Sequence, residues 1–524
     1  MSLELVKETA KVSRIIGKES AKTIVENDII VPDVKPDIAR ILVLDGDVYI
    51  SGSEAAQGRV LVNGSIRYKI LYTADDQELS IRSINASSRF DYSLDMPDVK
   101  QGMKCRIKCD IEHIDYEILN GRKVNVKTVL NVEAKVSQEL EQLIAYDLAG
   151  SENVRVLKDN FTMIRYTGSG GVDSTIRETM EVPAGKPAIR EILRCDVKVS
   201  GKDYKIDENR IIAKGELNVS TLYLADDAAG SIQFMEHEVP FVQPVELPGI
   251  SENAVCSVEY GILGTEYEAV ENGDGELRSL RIETALNLSA EGFYKSETQV
   301  IADAYSLNAR LILDKGRLKM EDIASENKEQ VVLKEIINVG EESPAISEVF
   351  NVLCKPGLSG YKIAEDRVII EGYVGGRILY LADNAEQPVT CVEREIPFKH
   401  AAAAKGLAPD ASCDIGLDIE HSSYSIISPR EVELRLVLGV TSRVVRQVEV
   451  PVIERIAESP MEERKSGVRP SIVIYFAQPG DNLWKIAKRY LTTTEEIIKL
   501  NNLAESDAIS PGQQVIIPKR PAAR

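Results

Sequence analysis

The stretch RILYLADN, residues 377–384, decides the fold because the chain contains it in three versions. The earlier versions are IRYKILYTADD at 66–76 and LNVSTLYLADD at 217–227. Matching residues are 151 positions apart between the first two versions and 157 apart between the last two. The recurring triplets are Arg59, Arg210 and Arg367; Gly64, Gly215 and Gly372; Tyr72, Tyr223 and Tyr380; and Asp75, Asp226 and Asp383. Constant spacing over so many positions indicates a threefold duplication of one domain.

The same spacing holds on both sides of this phrase. Upstream, VPDVKPDIARIL at 31–42 returns as VPAGKPAIREIL at 182–193 and VGEESPAISEVF at 339–350. Downstream, the recurring residues are Cys105, Cys256 and Cys413, followed by Tyr116, Tyr267 and Tyr424. This period is longer than the roughly 20–50 residues of a solenoid repeat, so each copy is large enough for a core of its own. The sequence therefore predicts three homologous domains at 1–150, 151–307 and 308–463.

The pattern inside each copy is typical of β-strands. CRIKCDIEHIDYEI at 105–118 alternates in polarity and is rich in β-branched residues, and RVIIEGYVGGRILYLAD at 367–383 is similar. Turns between strands are indicated at NGRK 120–123, ENGDGE 271–276 and ISPRE 427–431. The stretch after Pro36 is also compatible with a short helical turn. We predict mainly-β domains, each of them a sandwich or a partly open barrel.

The recurring Arg, Gly, Tyr and Asp residues allow two interpretations. In the structural one, Gly permits a bulge, Tyr packs in the interior and Asp ends the strand in a turn. In the other, the four residues form a binding site that is present in each domain. The sequence favours the structural interpretation because these residue types are common at strand ends.

Composition excludes several classes of protein. The chain has 524 residues, of which 44% are hydrophobic and 28% charged, the balance of a globular protein. A net charge of −20 and the lack of a basic patch argue against nucleic acid as a partner. Seven cysteines without a CxxC pair predict neither a disulfide framework nor a zinc site. No apolar run is long enough for a transmembrane helix, and the start of the sequence lacks the apolar core of a secretory signal. We expect no transmembrane segment and synthesis in the cytosol.

The chain has only four histidines and contains neither a GxSxG nor an HExxH motif. Cys105, Cys109 and His113 share one face of a predicted strand, but positions four apart lie about 13 Å from each other, too far to hold one metal ion. The GSGG segment at 168–171 lacks the GK[ST] ending of a phosphate-binding loop and is interpreted as a flexible turn. We expect a protein that is not an enzyme and has no cofactor and no metal.

The chain after the third copy follows a different pattern. The polar stretch 453–471 is typical of a linker, and we place the boundary segment between the third copy and the last domain at residues 464–470. Residues 471–520 predict a β-α-α-β domain with the chain's only tryptophan, Trp484, in its core. Its predicted parts are a strand at 472–477, a helix capped by Asp481, a second helix with Thr493 and Glu496 as its capping box, and a closing strand at 515–517.

This last domain resembles the LysM domain through PGDNLWKIAKRY at 479–490, LNNL at 500–503 and PGQQVIIP at 511–518. LysM domains bind N-acetylglucosamine-containing glycans such as peptidoglycan in a shallow groove between two loops. The resemblance implies a groove for a ligand or partner. Its residues would be Gly480, Asp481, Asn482 and Leu483 on one side and Ile509, Ser510, Pro511 and Gly512 on the other.

Three β-rich domains followed by a LysM domain resemble the SipL-type spore coat morphogenetic proteins, whose repeats are SPOCS domains and whose functional relatives are of the SpoVID type. The resemblance implies a non-enzymatic scaffold in the mother-cell cytoplasm, at the forespore surface and in the spore coat. The implied partners are the SpoIVA-type coat ATPase and other coat proteins. In that family the LysM domain can dock on protein rather than on sugar.

Two functions stay open at this point. In the first, the chain is a coat assembly scaffold, in which linked weak sites gain strength from their effective concentration. In the second, it is a cell-wall-associated protein whose LysM domain binds peptidoglycan or cortex glycan.

Overall fold

A computed structural model of the chain describes residues 3–76, 80–150, 153–227, 230–364, 366–382, 384, 388–404, 412–459, 472–504 and 509–518. The first repeat contains β1 (Glu4–Ile30), β2 (Ile38–Ala56), β3 (Arg59–Ala74), β4 (Ile81–Asp95), β5 (Lys104–Asn120) and β6 (Lys123–Ala149). The second contains β7 (Val154–Glu181), β8 (Ile189–Asp207), β9 (Arg210–Ala225), β10 (Ile232–Glu246), β11 (Val255–Glu271) and β12 (Leu277–Ser306). The third contains β13 (Arg310–Asn338), β14 (Ile346–Ala364), β15 (Arg367–Ala382), β16 (Val389–Ala403), β17 (Ser412–Ser428) and β18 (Glu431–Ser459). The C-terminal domain contains β19 (Ile472–Phe476), α1 (Leu483–Tyr490), α2 (Thr494–Asn501) and β20 (Gln514–Pro518).

Each repeat is a sandwich of two three-stranded antiparallel sheets. In the first repeat the strand order is β1-β6-β5 in one sheet and β2-β3-β4 in the other, and the later repeats have the same order. Val124 and Val126 of β6 pack against Ile66 and Tyr68 of β3 in the core. Across that core the hydroxyls of Tyr68 and Thr128 lie 2.8 Å apart. The mainly-β prediction is confirmed, and of its two alternatives the structure adopts the sandwich.

The recurring tyrosine of the central phrase is hydrogen-bonded to the recurring proline of the upstream segment. Its hydroxyl donates a hydrogen bond of 3.0 Å to the carbonyl of the recurring proline in all three repeats. The pairs are Tyr72 with Pro36, Tyr223 with Pro187 and Tyr380 with Pro344. Since the residues after each proline must pair with the neighbouring strand, they are extended, and β2 begins at Ile38. The prediction of a helical turn after Pro36 is therefore wrong.

The recurring glycine allows an aromatic ring to cross the strand. A Cβ atom on this glycine would lie 2.6–2.7 Å from a phenylalanine ring of the next strand. The pairs are Gly64 with Phe90, Gly215 with Phe241 and Gly372 with Phe398. At the strand end, the residue after the recurring aspartate, Asp76 or Asp227, accepts the N–H group of Ser80 or Ser231 at 2.9 Å, and Asp383 lies outside the described residues. The recurring glycine and tyrosine thus act in packing, and the residue after the recurring aspartate acts in the turn.

We expect the substitution Gly215→Ala to lower the free energy of unfolding by about 1–3 kcal/mol, because the new methyl group overlaps the Phe241 ring and overpacking costs this much. Gly171→Ala is the matched control, since a Cβ atom there has its nearest neighbour at 3.5 Å. Urea unfolding of the full chain measures both variants. Equal stability of the two would contradict the packing role of Gly215.

The outer halves of the first and last strands join the three repeats. β1 and β6 continue as a paired ribbon beyond their sandwich, and so do β7 with β12 and β13 with β18. The ribbons pack together through Ala10, Ile144, Val300 and Val450, each at most 6% exposed. All three repeats therefore share one core at this end of the molecule.

A second shared core lies where the smaller sheets of the three sandwiches meet. Leu71, Leu222 and Leu379, which are equivalent residues of the three repeats, contribute to it together. Because equivalent residues converge, the sandwiches form a ring around a pseudo-threefold axis. Strands of all three repeats line a cavity of about 2780 Å³ inside this ring.

Equivalent positions of different repeats carry charges of opposite sign and form ion pairs across the ring. Arg106, which follows the recurring cysteine of the first repeat, pairs with Glu291 of the second repeat at 2.9 Å. Asp414 follows the same cysteine in the third repeat and pairs with Lys135 of the first repeat at 2.9 Å. The first repeat is therefore held against its two neighbours by pairs of opposite polarity.

Two local predictions are wrong. The GSGG segment is not a turn but part of β7, where a Cβ atom on Gly170 would lie 1.9 Å from the carbonyl oxygen of Glu246. Glycine is needed there because another strand crosses closely. The polar residues 453–459, interpreted as linker, continue β18 in its ribbon with β13. The predicted linker 464–470 lies outside the described residues.

Candidate functional site

The C-terminal domain is a two-stranded antiparallel sheet covered on one face by two short helices. Ile486 and Ala487 of α1 and Ile497 of α2 are fully buried against the sheet. The amide oxygen of Asn482 accepts the N–H of Lys485 at 2.8 Å and caps α1, so the predicted cap at Asp481 is wrong by one residue. The predicted capping box of the second helix, Thr493 with Glu496, is confirmed.

The two loops predicted to form the groove lie side by side. The N–H of Gly512 donates to the carbonyl of Ala477 at 2.8 Å, and Leu483 and Ile509 contact the same core. Gly480 and Gly512 have φ angles of 84° and 83°, a conformation that glycine adopts without strain. The geometry thus permits a shared groove, and the assignment of its eight residues to a ligand stays a prediction.

Polar side chains of the first loop are used by the fold itself. The carboxylate of Asp481 accepts the hydroxyl of Tyr475 at 2.5 Å and the N–H of Gln478 at 2.9 Å. These two bonds hold the pKa of Asp481 below its ordinary value. Together with the capping role of Asn482, they leave fewer free side-chain acceptors for a sugar than the sequence suggests.

The sheet face turned away from the helices is apolar and exposed. We call it the outer sheet face and define it by Ile472, Ile474, Phe476, Ile516 and Pro518. The first three are 52%, 57% and 57% exposed. Strand pairing places the last two beside Ile474 and Ile472 on the same face. An exposed apolar patch on so small a domain is typical of a surface that binds protein.

The domain is held against the second repeat around Asp303, near the end of β12. The indole N–H of Trp484 donates to this carboxylate at 3.0 Å and the ammonium group of Lys488 at 2.7 Å. Tyr305 packs edge-on against Trp484 with 4.9 Å between ring centroids, and its hydroxyl donates to the carbonyl of Thr492 at 2.7 Å. Trp484 therefore lies at a domain interface, whereas the sequence predicted it in the core of its own domain.

The pKa of Asp303 reports the strength of this contact. Burial opposes ionisation, but hydrogen bonds from Lys488, Trp484 and Lys315 outweigh it and lower the pKa to about 2. Because Lys488 and Trp484 belong to the docked domain, docking contributes to this lower pKa, and its stabilisation is fully present above the ordinary aspartate pKa. It is lost as the pH falls through about 2.

We expect Asp303→Asn to weaken docking of the C-terminal domain by about 1–2 kcal/mol, since the neutral amide loses the attraction of Lys488 that helps to lower the carboxylate pKa. Trp484 is the chain's only tryptophan, so its fluorescence emission should shift to the red as the ring enters water. Asp314→Asn, an exposed change on the neighbouring strand β13, is the control and should leave the spectrum unchanged. An unshifted spectrum for Asp303→Asn would contradict the contact.

The fold and the site define a class of protein, in which three fused β-sandwich repeats carry one small βααβ module. The family model described as SipL, SPOCS domain matches residues 37–119, 188–270 and 345–427, and the LysM domain model matches residues 475–518. The chain thus carries three SipL-type SPOCS domains and a C-terminal LysM domain, which confirms the resemblance. No similar protein was found among the curated proteins or the solved structures.

Each matched SPOCS segment is smaller than the folded repeat. In the first repeat, 37–119 covers almost all of β2–β5 and excludes β1 and β6. Yet β6 is the central strand of its sheet and contributes Val124, Val126 and Leu130 to the core. A complete sandwich therefore needs the strands on both sides of the matched segment.

The domain types found are non-catalytic and fit a sporulation coat protein with a peptidoglycan-binding module. Within the part of the chain that the structure describes, no three His, Cys, Asp or Glu side chains are grouped to hold a metal ion. In the same part, neither helix is long and apolar enough to cross a membrane.

Proposed function

We propose that this protein is a spore coat assembly scaffold that links a SpoIVA-type coat ATPase to the forespore surface and the coat. It acts in the mother-cell cytoplasm, with the ring of SPOCS domains as its body and the LysM domain as its docking module. The outer sheet face is the observation that carries this proposal, because it offers a protein partner an exposed apolar surface.

The position of the LysM domain supports this assignment. The domain contacts the ring through Trp484 and Lys488 of α1, which lies on the helical side of the sheet. The outer sheet face is on the opposite side, so docking to the ring leaves it accessible. The contact fixes the domain to the scaffold while this surface remains exposed, with Ile474 and Phe476 at its centre.

A second candidate function is binding of peptidoglycan or cortex glycan through the LysM groove. It is favoured by the two adjacent loops, where Leu483 and Ile509 can contact a sugar ring and backbone groups can bond its hydroxyls. In this case the protein is associated with the cell wall, and the repeats provide its link to the coat.

Competition separates the two candidates. The full chain is immobilised, and binding of the SpoIVA-type ATPase from the same genome is measured with and without excess oligomers of N-acetylglucosamine. We expect binding that the oligomers leave unchanged, because the outer sheet face and the groove are on different surfaces. Displacement by the oligomers would assign the interface to the groove. Absence of binding would overturn the proposed link to the ATPase.

A further inference from the structure

A charged recess lies on the pseudo-threefold axis of the ring, where equivalent residues of the three repeats meet. These are Asp47 of β2, Lys198 of β8 and Lys355 of β14. The recess has a volume of about 70 Å³ and adjoins the larger cavity of the ring, with which it shares Asp45 and Lys355 as lining residues. It is therefore open to solutes that enter the ring.

The carboxylates of the recess are all engaged in ion pairs of 2.6–3.0 Å. The pairs are Asp196 with Lys69 and Arg194, Asp47 with Lys69, and Asp45 with Arg194 and Arg377. Three cations thus pair with the three carboxylates of the recess, and one of them, Arg377, also pairs with Glu393 at 2.6 Å.

Two lysines and one guanidinium nitrogen remain without such partners. Neither Lys198 nor Lys355 has a carboxylate at ion-pair distance among the described residues. The Arg194 side chain is only 2% exposed, and its Nη1 has no hydrogen-bond partner. Burial lowers the pKa of Lys198, and attraction by the nearby carboxylates of Asp196 and Asp47 offsets this only in part. The recess therefore has hydrogen-bond donors and two lysines that no ion pair neutralises.

We propose that this recess binds a phosphate dianion, either as inorganic phosphate or as the terminal phosphate of a ligand in the larger cavity. A water molecule occupies about 30 Å³ in the liquid. The recess, at about 70 Å³, therefore has room for one small tetrahedral oxyanion. Lys198 and Lys355 balance its charge, and the Arg194 Nη1 donates to an oxygen that the protein does not provide. Hydrogen bonds between charged groups of this kind are short and strong.

Equilibrium dialysis of the full chain against inorganic phosphate tests the proposal. We expect one site per chain, weakened about 100-fold or more in the double variant Lys198→Met with Lys355→Met, which loses two charge-assisted hydrogen bonds. Lys202→Met is the matched control, because Lys202 lines the larger cavity but not the recess and is paired with Asp418 at 2.8 Å. It should bind phosphate as the parent does.

Thermal unfolding gives a second readout that does not depend on the variant's own stability. Phosphate should raise the melting temperature of the parent and of Lys202→Met, and leave that of the double variant unchanged. Competition by phenyl phosphate would support the terminal phosphate of a larger ligand, and its failure would support free phosphate. A parent chain that binds no phosphate, or a double variant that binds it equally well, would overturn the proposal.

Discussion

Replacing Asp196 by alanine should lower the free energy of unfolding by about 3–5 kcal/mol, the cost of removing one partner from a buried ion pair. The Asp196 side chain is 8% exposed and accepts hydrogen bonds from Lys69 at 2.8 Å, Arg194 at 2.6 Å and Asn351 at 3.3 Å. These donors come from all three repeats. The substitution therefore leaves cations unpaired at the centre of the ring and weakens all three contacts together.

Urea unfolding of the full chain measures this effect, with Asp207→Ala as the control. Asp207 pairs with Arg210 at 2.7 Å, but both side chains are exposed, so we expect at most a slight loss of stability. A loss that small for Asp196→Ala would contradict the role of the axial network.

The effect of Asp196→Ala should depend on pH. Burial opposes ionisation of Asp196, but Arg194 and Lys69 outweigh it and hold its pKa well below the ordinary aspartate value. The carboxylate thus stabilises the fold fully above that ordinary value and loses its effect as the pH falls towards the folded-state pKa. The difference between parent and variant should therefore be constant near neutrality and shrink in acid.

Placing glutamate on the outer sheet face should weaken capture of the SpoIVA-type ATPase about 100-fold, since truncating or charging the centre of an interface costs several kcal/mol. The change is the double substitution Ile474→Glu with Phe476→Glu. Both side chains are 57% exposed, so the domain itself should fold and keep its contact with Asp303. Binding of the ATPase to the immobilised full chain measures the effect.

Leu500→Glu is the matched control for this pair. It also places a carboxylate on an exposed apolar residue, 42% exposed, but on α2 and hence on the other side of the sheet. Capture by this variant should equal that of the parent. If the outer-face variant captures the ATPase as well as the control does, the outer sheet face is not the docking surface.

Much of the fold could be predicted from local patterns in the sequence. The recurring tyrosine and proline are hydrogen-bonded to each other within one repeat, so their fixed spacing indicates one domain. The capping box of Thr493 and Glu496 could likewise be predicted, because it involves residues three positions apart in the sequence. Each of these features depends on contacts that lie within a single copy of the repeat or a single helix end.

Contacts between repeats were not predictable in this way. Arg377 pairs with Asp45 of another repeat, and no periodicity links two such distant positions. The recess residues Lys198 and Lys355 read as ordinary surface lysines, since the sequence does not show that their strands meet on an axis. The sequence predicts Trp484 in a core because its neighbours are apolar. Its indole N–H instead bonds Asp303, which is far away in the chain.

The groove was only partly accessible to sequence reasoning. The resemblance placed the two loops correctly beside each other, but it did not show that Asp481 is held by Tyr475 and Gln478. Nor did it indicate the outer sheet face, because the alternation along β19 is the same whether its exposed residues bind a partner or not. The side chains that are free to bind become apparent only once all hydrogen bonds are known.

The most direct test of the scaffold proposal uses the intact chain in two parallel assays. One measures co-sedimentation with purified peptidoglycan, and the other measures capture of the SpoIVA-type ATPase from the same genome. The proposal predicts capture of the ATPase by the intact chain. Sedimentation with peptidoglycan in the absence of any capture would contradict it and would make this a wall-binding protein.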